Sequence, residues 1–288
     1  MTFNELKIKT LIHMSNVPSF KKSWPIYTIR IKQIIGLNPN GNDLFKLGDS
    51  LSDIFKPSGT SSSQRTQSNL SSGGNAWECL VVWYLNLVFW NTNVIVTKYK
   101  KENVPQIIRQ ATSVGIGNVN TNTESDIIAF GLPNYQNDND DIEEFLENNT
   151  HSCDLSIVQC KTNWNDNSQI PMLWDMVYNS TNTFRNRVSV GSNGVSPSSF
   201  RKFSYAFATI PTNTNQNFNA DSTHVLRVSN LSGGNYWGHP SKPSVAQSLN
   251  EYFTSNFNNY FHGSIQNHLD NNLAQDPSFI SKFLDLNF

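Results

Sequence analysis

Four polar residues interrupt otherwise apolar stretches and could do chemistry together: Glu78, Asp126, Gln159 and Lys161. Glu78 opens the run WECLVVWYLNLVFW, Asp126 stands at the front of SDIIAF, and Gln159 and Lys161 close CDLSIVQCK. Strand side chains alternate between faces, so Gln159 and Lys161 share one face while Val158 and Cys160 take the other. A lysine that far into a β-rich segment needs an anionic partner or an anionic substrate, because an unpaired buried charge is costly. Each residue also has a plainer reading. Asn75-x-x-Glu78 has the pattern of a capping box, with Glu78 reaching back to the N-cap backbone. Asp126 could be a strand-edge acid after a turn, and a lone Q-x-K recurs by chance. Asp154 is a competing acid, but it lies five positions before Gln159 and so on the opposite face. Asp166 and Asp175 follow the strand closely and could brace a site from behind.

The elements that must position these residues are legible in outline. The first 55 residues alternate apolar and basic positions and read as short helices with Lys21, Lys22, Arg30 and Lys32 exposed. Pro57 to Gly74 is rich in Ser, Thr, Gly and Gln and reads as a mobile loop or linker. From Trp77 to Trp90, 12 of 14 residues are apolar, which predicts a helix buried on nearly all sides. Asn93 to Tyr99 reads as a strand, Val104 to Thr112 as a short helix, and Ser125 to Phe130 as a strand ended by Gly131 and Pro133. The acidic, Asn-rich stretch from Asn134 to Thr150 reads as an exposed insertion. Cys153 to Lys161 is a further strand, Ile170 to Tyr178 the start of a helix, and Phe203 to Ile210 a strand, with Thr223 to Val228 a weaker one. The last forty residues read as helical, with Phe253, Phe257 and Phe261 spaced i, i+4, i+8. This order predicts a mixed α/β chain, and 288 residues suffice for one large domain or two small ones.

Composition narrows the class further. With 37% hydrophobic and 12% aromatic residues the chain is globular rather than disordered. The 40 asparagines fit either an AT-rich coding sequence or a polar recognition surface built from amides. Met1 to Thr10 lacks the apolar core of an export signal, and the Trp77–Trp90 run is too short and too charged to span a bilayer. Cys79, Cys153 and Cys160 form neither a metal-binding spacing nor an even disulfide set, so a reducing cytoplasm is expected. The six histidines show no i, i+4 pair, which argues against zinc. A net charge of −1 disfavours a DNA partner, but six acids and no Lys or Arg lie between Gln136 and Glu147. Outside that segment 21 basic residues face 16 acidic ones, leaving room for a local basic cleft.

Taken in order, Asp126 in TESDIIAFG, Gln159-Cys160-Lys161 in LSIVQCKTN and Glu78 in GGNAWECL resemble the PD-(D/E)xK nucleases, and among them the type II restriction endonucleases. The resemblance covers roughly Gly73 to Tyr178. It implies an α/β restriction-endonuclease-like core, a central mixed sheet flanked by helices, in a single endonuclease domain over 1–288 with its catalytic core at about 73–215. It further implies Mg²⁺-dependent, sequence-specific hydrolysis of phosphodiester bonds in double-stranded DNA by a homodimer matched to palindromic sites. Asp126, Glu78, the Gln159 amide oxygen and the backbone carbonyl of Cys160 would hold Mg²⁺, and Lys161 would act on the attacking water and developing charge. Two features depart from the pattern. Gln159 replaces the usual carboxylate, for which Glu78 could compensate, and 32 residues separate Asp126 from Gln159.

Residues suited to base reading occur in two loops. One carries Arg185, Asn186, Arg187, Asn193 and Arg201; the other, SGGNYWGHPSK, carries Asn235, Tyr236 and His239. The second could equally be a turn packing Tyr236 and Trp237 inward. Alternatives to restriction are a repair or junction-resolving nuclease of the same type, or a non-catalytic nucleic-acid- or carbohydrate-binding protein. The last predicts Glu78, Asp126 and Lys161 lying far apart.

Overall fold

From Trp77 onward helix α5 (Gln67–Val88) is apolar on almost every side, and the rest of the chain supplies walls for each of them. The computed structural model describes residues 1–55, 67–116, 119–122, 125–133, 135, 140–162, 188–210, 221–232, 236–238 and 249–287. Trp77, Leu80, Val81, Trp83, Tyr84, Leu85 and Val88 of α5 are all buried. On one side lie α1 (Phe3–Ser15), α2 (Pro18–Ile35), α3 (Gly41–Lys46) and α4 (Leu51–Phe55). The C-terminal helices α9 (Leu249–Phe257), α10 (Ile265–Gln275) and α11 (Phe279–Asp285) complete the wall. Indole and phenol groups anchor the contacts: Trp83 Nε1 donates to Phe283 O at 3.0 Å, and Tyr84 Oη to Phe45 O at 2.6 Å.

The opposite wall is a five-stranded mixed sheet in the order β1 (Val94–Lys98), β4 (Ile127–Gly131), β5 (Asp154–Lys161), β7 (Lys202–Thr209), β8 (Tyr236–Gly238). β1, β4 and β5 form an antiparallel meander, whereas β7 and β8 run parallel to β5. Val94, Val96, Ile127, Ala129, Val158, Cys160, Ala206 and Ala208 turn one sheet face toward α5. The other face carries Ile95, Ile128, Phe130 and Leu155, packed under α6 (Gln106–Ala111) and α7 (Ile142–Asn149). Both faces are therefore covered, as the near-continuous burial of β4 and β5 requires. A small antiparallel sheet, in the order β3 (Val119–Asn122), β2 (Ser113–Ile116), β6 (Val188–Val190), stands apart from the main one. Among the described residues no helix is long and apolar enough to cross a membrane.

Several expectations are corrected. Helix α5 begins at Gln67, so the part of 57–74 that is described is helix rather than linker. Asn75 consequently sits inside the helix, and the capping-box reading of Glu78 falls. The amino-terminal helices are not all short, since α2 runs 18 residues even with Pro25 inside it, and Arg30 is half-buried. The acidic stretch is not a plain exposed insertion: Asp141 caps α7, accepting from the Glu143 and Glu144 N–H groups, and Ile142 and Leu146 reach the core. Glu143 accepts from Gln106 N at the start of α6, so acids of this stretch serve helix N-termini. The segment read as a weak strand is helix α8 (Thr223–Ser232). Its Val225 and Val228 are buried against Phe207 at i, i+3 spacing while Leu226 faces outward, and that tertiary contact overrides β-branched propensity. Phe253, Phe257 and Phe261 are buried, but α9 ends at Phe257. The helix expected at 170–178 lies outside the described residues.

Lys7 of α1 is a buried cation set against the end of α5. Its Nζ donates to Phe89 O at 2.7 Å and Thr92 O at 3.2 Å, just past the helix C-terminus. Burial pushes its pKa down from 10.5 to about 7. The unfolded chain keeps this proton to higher pH than the folded one, so the stability tied to Lys7 is full above about 10.5 and is lost as pH falls through about 7. Urea denaturation of the wild type and Lys7→Met from pH 6 to 10 should therefore show the wild type gaining on the variant as pH rises. A difference independent of pH would refute the assignment.

Candidate active site

The main sheet has one end at which β1 and β5 finish and β4 begins, and there the chemical groups collect. Asn75, Glu78, Val82 and Asn86 form a stripe along α5 that faces β1. Asn86 Nδ2 donates to Val82 O and to Val96 O, both at 2.9 Å, which sets the rotation of the helix against the strand. The rotation turns Glu78 toward the last residue of β1, and Lys98 Nζ makes an ion pair with Glu78 Oε2 and donates to Asn75 Oδ1 at 2.9 Å. Trp77 Nε1 donates to Ala208 O at 3.1 Å, pinning the same helical turn to β7.

Asp126 precedes β4 by one residue. Its backbone carbonyl accepts from Tyr99 N at 2.9 Å, and its Oδ2 accepts from Cys160 N at 2.7 Å, taking the place of a ladder partner where β4 has not yet begun. Lys161 Nζ lies 3.8 Å from the same Oδ2. Gln159 shares the Lys161 face, and its Oε1 accepts from Tyr205 Oη of β7 at 3.1 Å. The N–H and C=O of a strand residue point to the same side, so the Cys160 carbonyl is directed toward Asp126 as well. Side-chain exposures of 14% for Glu78, 18% for Lys98 and Asp126, and 32% for Lys161 describe a site sunk in the sheet end but open to solvent.

The electrostatics tie the two halves together. Burial holds the Lys98 ammonium below the usual lysine range, while the Asp126 carboxylate pulls it back up. Burial, with Asp126 adding to it, pushes the Tyr205 phenol up to about 12, so Tyr205 remains a donor and keeps the oxygen end of Gln159 in place. The Asp126 carboxylate, with the Cys160 carbonyl directed toward it, offers hard oxygen donors, which suit Mg²⁺ rather than a thiolate- or imidazole-seeking metal. Two lysines offset the two carboxylates, so the four side chains carry no net charge.

The structure thus pairs Asp126 with Lys161, leaves Gln159 beside Lys161 on the same face, and sets Glu78 on the α5 face of that sheet end, where its partner is Lys98. Lys98 and Tyr205 were passed over by the sequence reading, and Asn75 was read there only as a cap. Lys98 had a signal: it is a lysine closing a β-branched run, as Lys161 is. The base-reading candidates are more scattered. Arg201 holds buried Asp154 through Nε at 2.9 Å and Nη2 at 2.6 Å, at the opposite end of β5, roughly 20 Å away by strand rise. Asn193 and Gly194, both at positive φ, form the tip of a two-residue hairpin closed between Ser192 and Val195, a local reason for an Asn-Gly pair. Register puts Tyr236 level with Gln159 through Phe207. Arg185, Asn186, Arg187, Asn235 and His239, like Asp166 and Asp175, lie outside the described residues. No protein-family model matches the chain, and comparison with curated proteins finds no match.

Cys160 sits within the site but turns its thiol to the α5 side. Burial pushes the thiols of Cys79 to about 12 and Cys153 to about 11, and raises Cys160 well above its ordinary value, Asp126 adding to the effect. None is poised as a nucleophile. Ellman's reagent at pH 8 should label all three at least roughly a hundredfold more slowly in native protein than in denaturant. Fast labelling of Cys160 in the native protein would reopen thiol chemistry.

Proposed function

We propose that this protein is a Mg²⁺-dependent endonuclease acting on double-stranded DNA, of the PD-(D/E)xK type, and that it cuts at specific sequences as a type II restriction endonuclease. The observation that carries the reading is the placement of Lys161 3.8 Å from Asp126 at a sheet end whose α5 face carries the Glu78–Lys98 ion pair. Positions 78, 126 and 161 are far apart in the chain, and packing for its own sake gives no reason to collect their charges. The order of elements supports a restriction-endonuclease-like core: an apolar helix, an antiparallel meander of β1, β4 and β5, then the parallel strand β7. A homodimer is the oligomer suited to palindromic sites.

The residues present fit the metal. Asp126, the Gln159 amide oxygen and the Cys160 carbonyl would hold Mg²⁺, with Glu78 as the second carboxylate. A bound Mg²⁺ would lower the pKa of a water and neutralise charge on the scissile phosphate. The Lys161 ammonium, held near Asp126, would orient the attacking water and donate to the phosphate oxygen on which negative charge grows. Tyr205 of β7 holds the Gln159 oxygen, and would have to release or share it for that oxygen to meet the metal. Asp126 has a second duty, because its hydrogen bond to Cys160 N keeps the end of β5 in register with β4.

Incubating purified protein with long, unmethylated phage and plasmid DNA in Mg²⁺, and separately in EDTA, tests the reading. Discrete metal-dependent bands are expected. Asp126→Ala and Lys161→Ala should each lower cutting by at least about a hundredfold while leaving DNA binding in place. A metal-dependent smear would retain the nuclease and remove sequence specificity, and structure-selective nicking would favour a repair or junction-resolving enzyme. Full cutting by either variant would sink the site assignment. Absence of cleavage on every DNA tried, with binding retained, would shift the reading to a non-catalytic binding protein.

A further inference from the structure

The ion pair between Glu78 and Lys98 poses a conflict within this site, because the carboxylate suited to be a metal ligand already has a cation on it. Both side chains are less than one-fifth exposed. A buried ion pair is rarely more stabilising than apolar residues of the same shape, and the next residues on the same faces, Val82 of α5 and Val96 of β1, are buried and apolar. Stability therefore gives little reason to keep the pair. Its place does: Lys98 ends β1 at the sheet edge shared with Asp126 and Lys161, and a four-carbon stem lets its ammonium swing without moving the strand. With Gln159 in place of a third acid and two lysines balancing two carboxylates, a divalent cation entering the free protein meets a neutral site.

We propose that Lys98 is a removable counter-ion, occupying Glu78 in the DNA-free protein and yielding that carboxylate to the divalent cation when its ammonium is drawn onto a substrate phosphate. The inference rests on reading the site as that of a metal-dependent nuclease. Coupling of this kind is reciprocal. A phosphate that takes Lys98 tightens the cation, and a cation that takes Glu78 releases Lys98 to the phosphate. Metal loading is thereby tied to the presence of the nucleic acid backbone, and Lys98 is a second phosphate-facing lysine beside Lys161.

Mn²⁺ binding to the DNA-free protein, followed by electron paramagnetic resonance of the unbound ion, tests this without any cleavage. Lys98→Met should tighten Mn²⁺ on the order of tenfold or more, since it removes a full positive charge in contact with a ligand. Glu78→Gln in the wild-type background leaves the Lys98 charge unopposed and should weaken binding, and the Lys98→Met/Glu78→Gln double variant should return to about the wild-type affinity. Lys98→Gln, which keeps a hydrogen bond to Glu78 but no charge, should tighten binding likewise and stands in if Lys98→Met does not fold. If Lys98→Met and Lys98→Gln bind Mn²⁺ no better than the wild type, while Asp126→Asn abolishes binding, the counter-ion role is overturned and the metal site stands. If none of the folded proteins, Lys98→Met and Lys98→Gln included, binds Mn²⁺, the metal-site reading itself falls and takes the counter-ion with it.

Discussion

Everything in this structure depends on giving α5 apolar neighbours on all sides. A helix carrying Trp77, Trp83, Tyr84, Leu85 and Val88 around its circumference cannot rest on one surface, so the amino-terminal helices, the C-terminal helices and the sheet close on it together. Hydrophobic burial has no direction, however, and would leave the helix free to rotate. Polar anchors remove that freedom. Trp77 reaches Ala208 O, Trp83 reaches Phe283 O, Tyr84 reaches Phe45 O and Asn86 reaches Val96 O, and each spans to a different wall. With the rotation set, Glu78 has one place to go, the end of β1.

The two ends of the main sheet are built for opposite ends. At one, Asp154 is nearly fully buried, gripped bidentately by Arg201 and approached by Tyr260 Oη at 3.2 Å; nearby Ser156 and Ser204 join at 2.8 Å. These groups satisfy one another and hold β5 to β7. At the other end the charges are half-open to solvent, the strands stop at different heights, and an Asp126 carboxylate rather than a backbone carbonyl takes the Cys160 N–H. A sheet edge finished in that way leaves carboxylates and ammonium groups within reach of solvent.

Gln159 sets an uncharged oxygen donor beside Lys161. An amide oxygen ligates a hard cation but carries no charge, and its two ends must be told apart. Tyr205 does this from the neighbouring strand, its phenol kept protonated by burial. With Gln159 neutral, the Glu78–Lys98 and Asp126–Lys161 pairs set the charge balance of this sheet end.

The sequence by itself determined the elements whose signal is local. The all-round apolar run of α5, the β-branched run of β1, the strands β4, β5 and β7, and the period-two sharing of a face by Gln159 and Lys161 follow from spacing alone, and so does the mixed α/β class. Glu78, Asp126, Gln159 and Lys161 were legible as polar intrusions into apolar elements. What depended on distant partners was not. The helical state of 223–232 comes from burial of Val225 and Val228 against Phe207, and Asp141 and Glu143 of the acidic stretch are held by the helix N-termini that they satisfy. Lys98 and Tyr205 look like ordinary strand residues until the register sets one beside Glu78 and the other beside Gln159. That Asp126 meets Lys161 at all is a tertiary fact, because a pairing shift of one residue between β4 and β5 would move every side chain to the other face of the sheet.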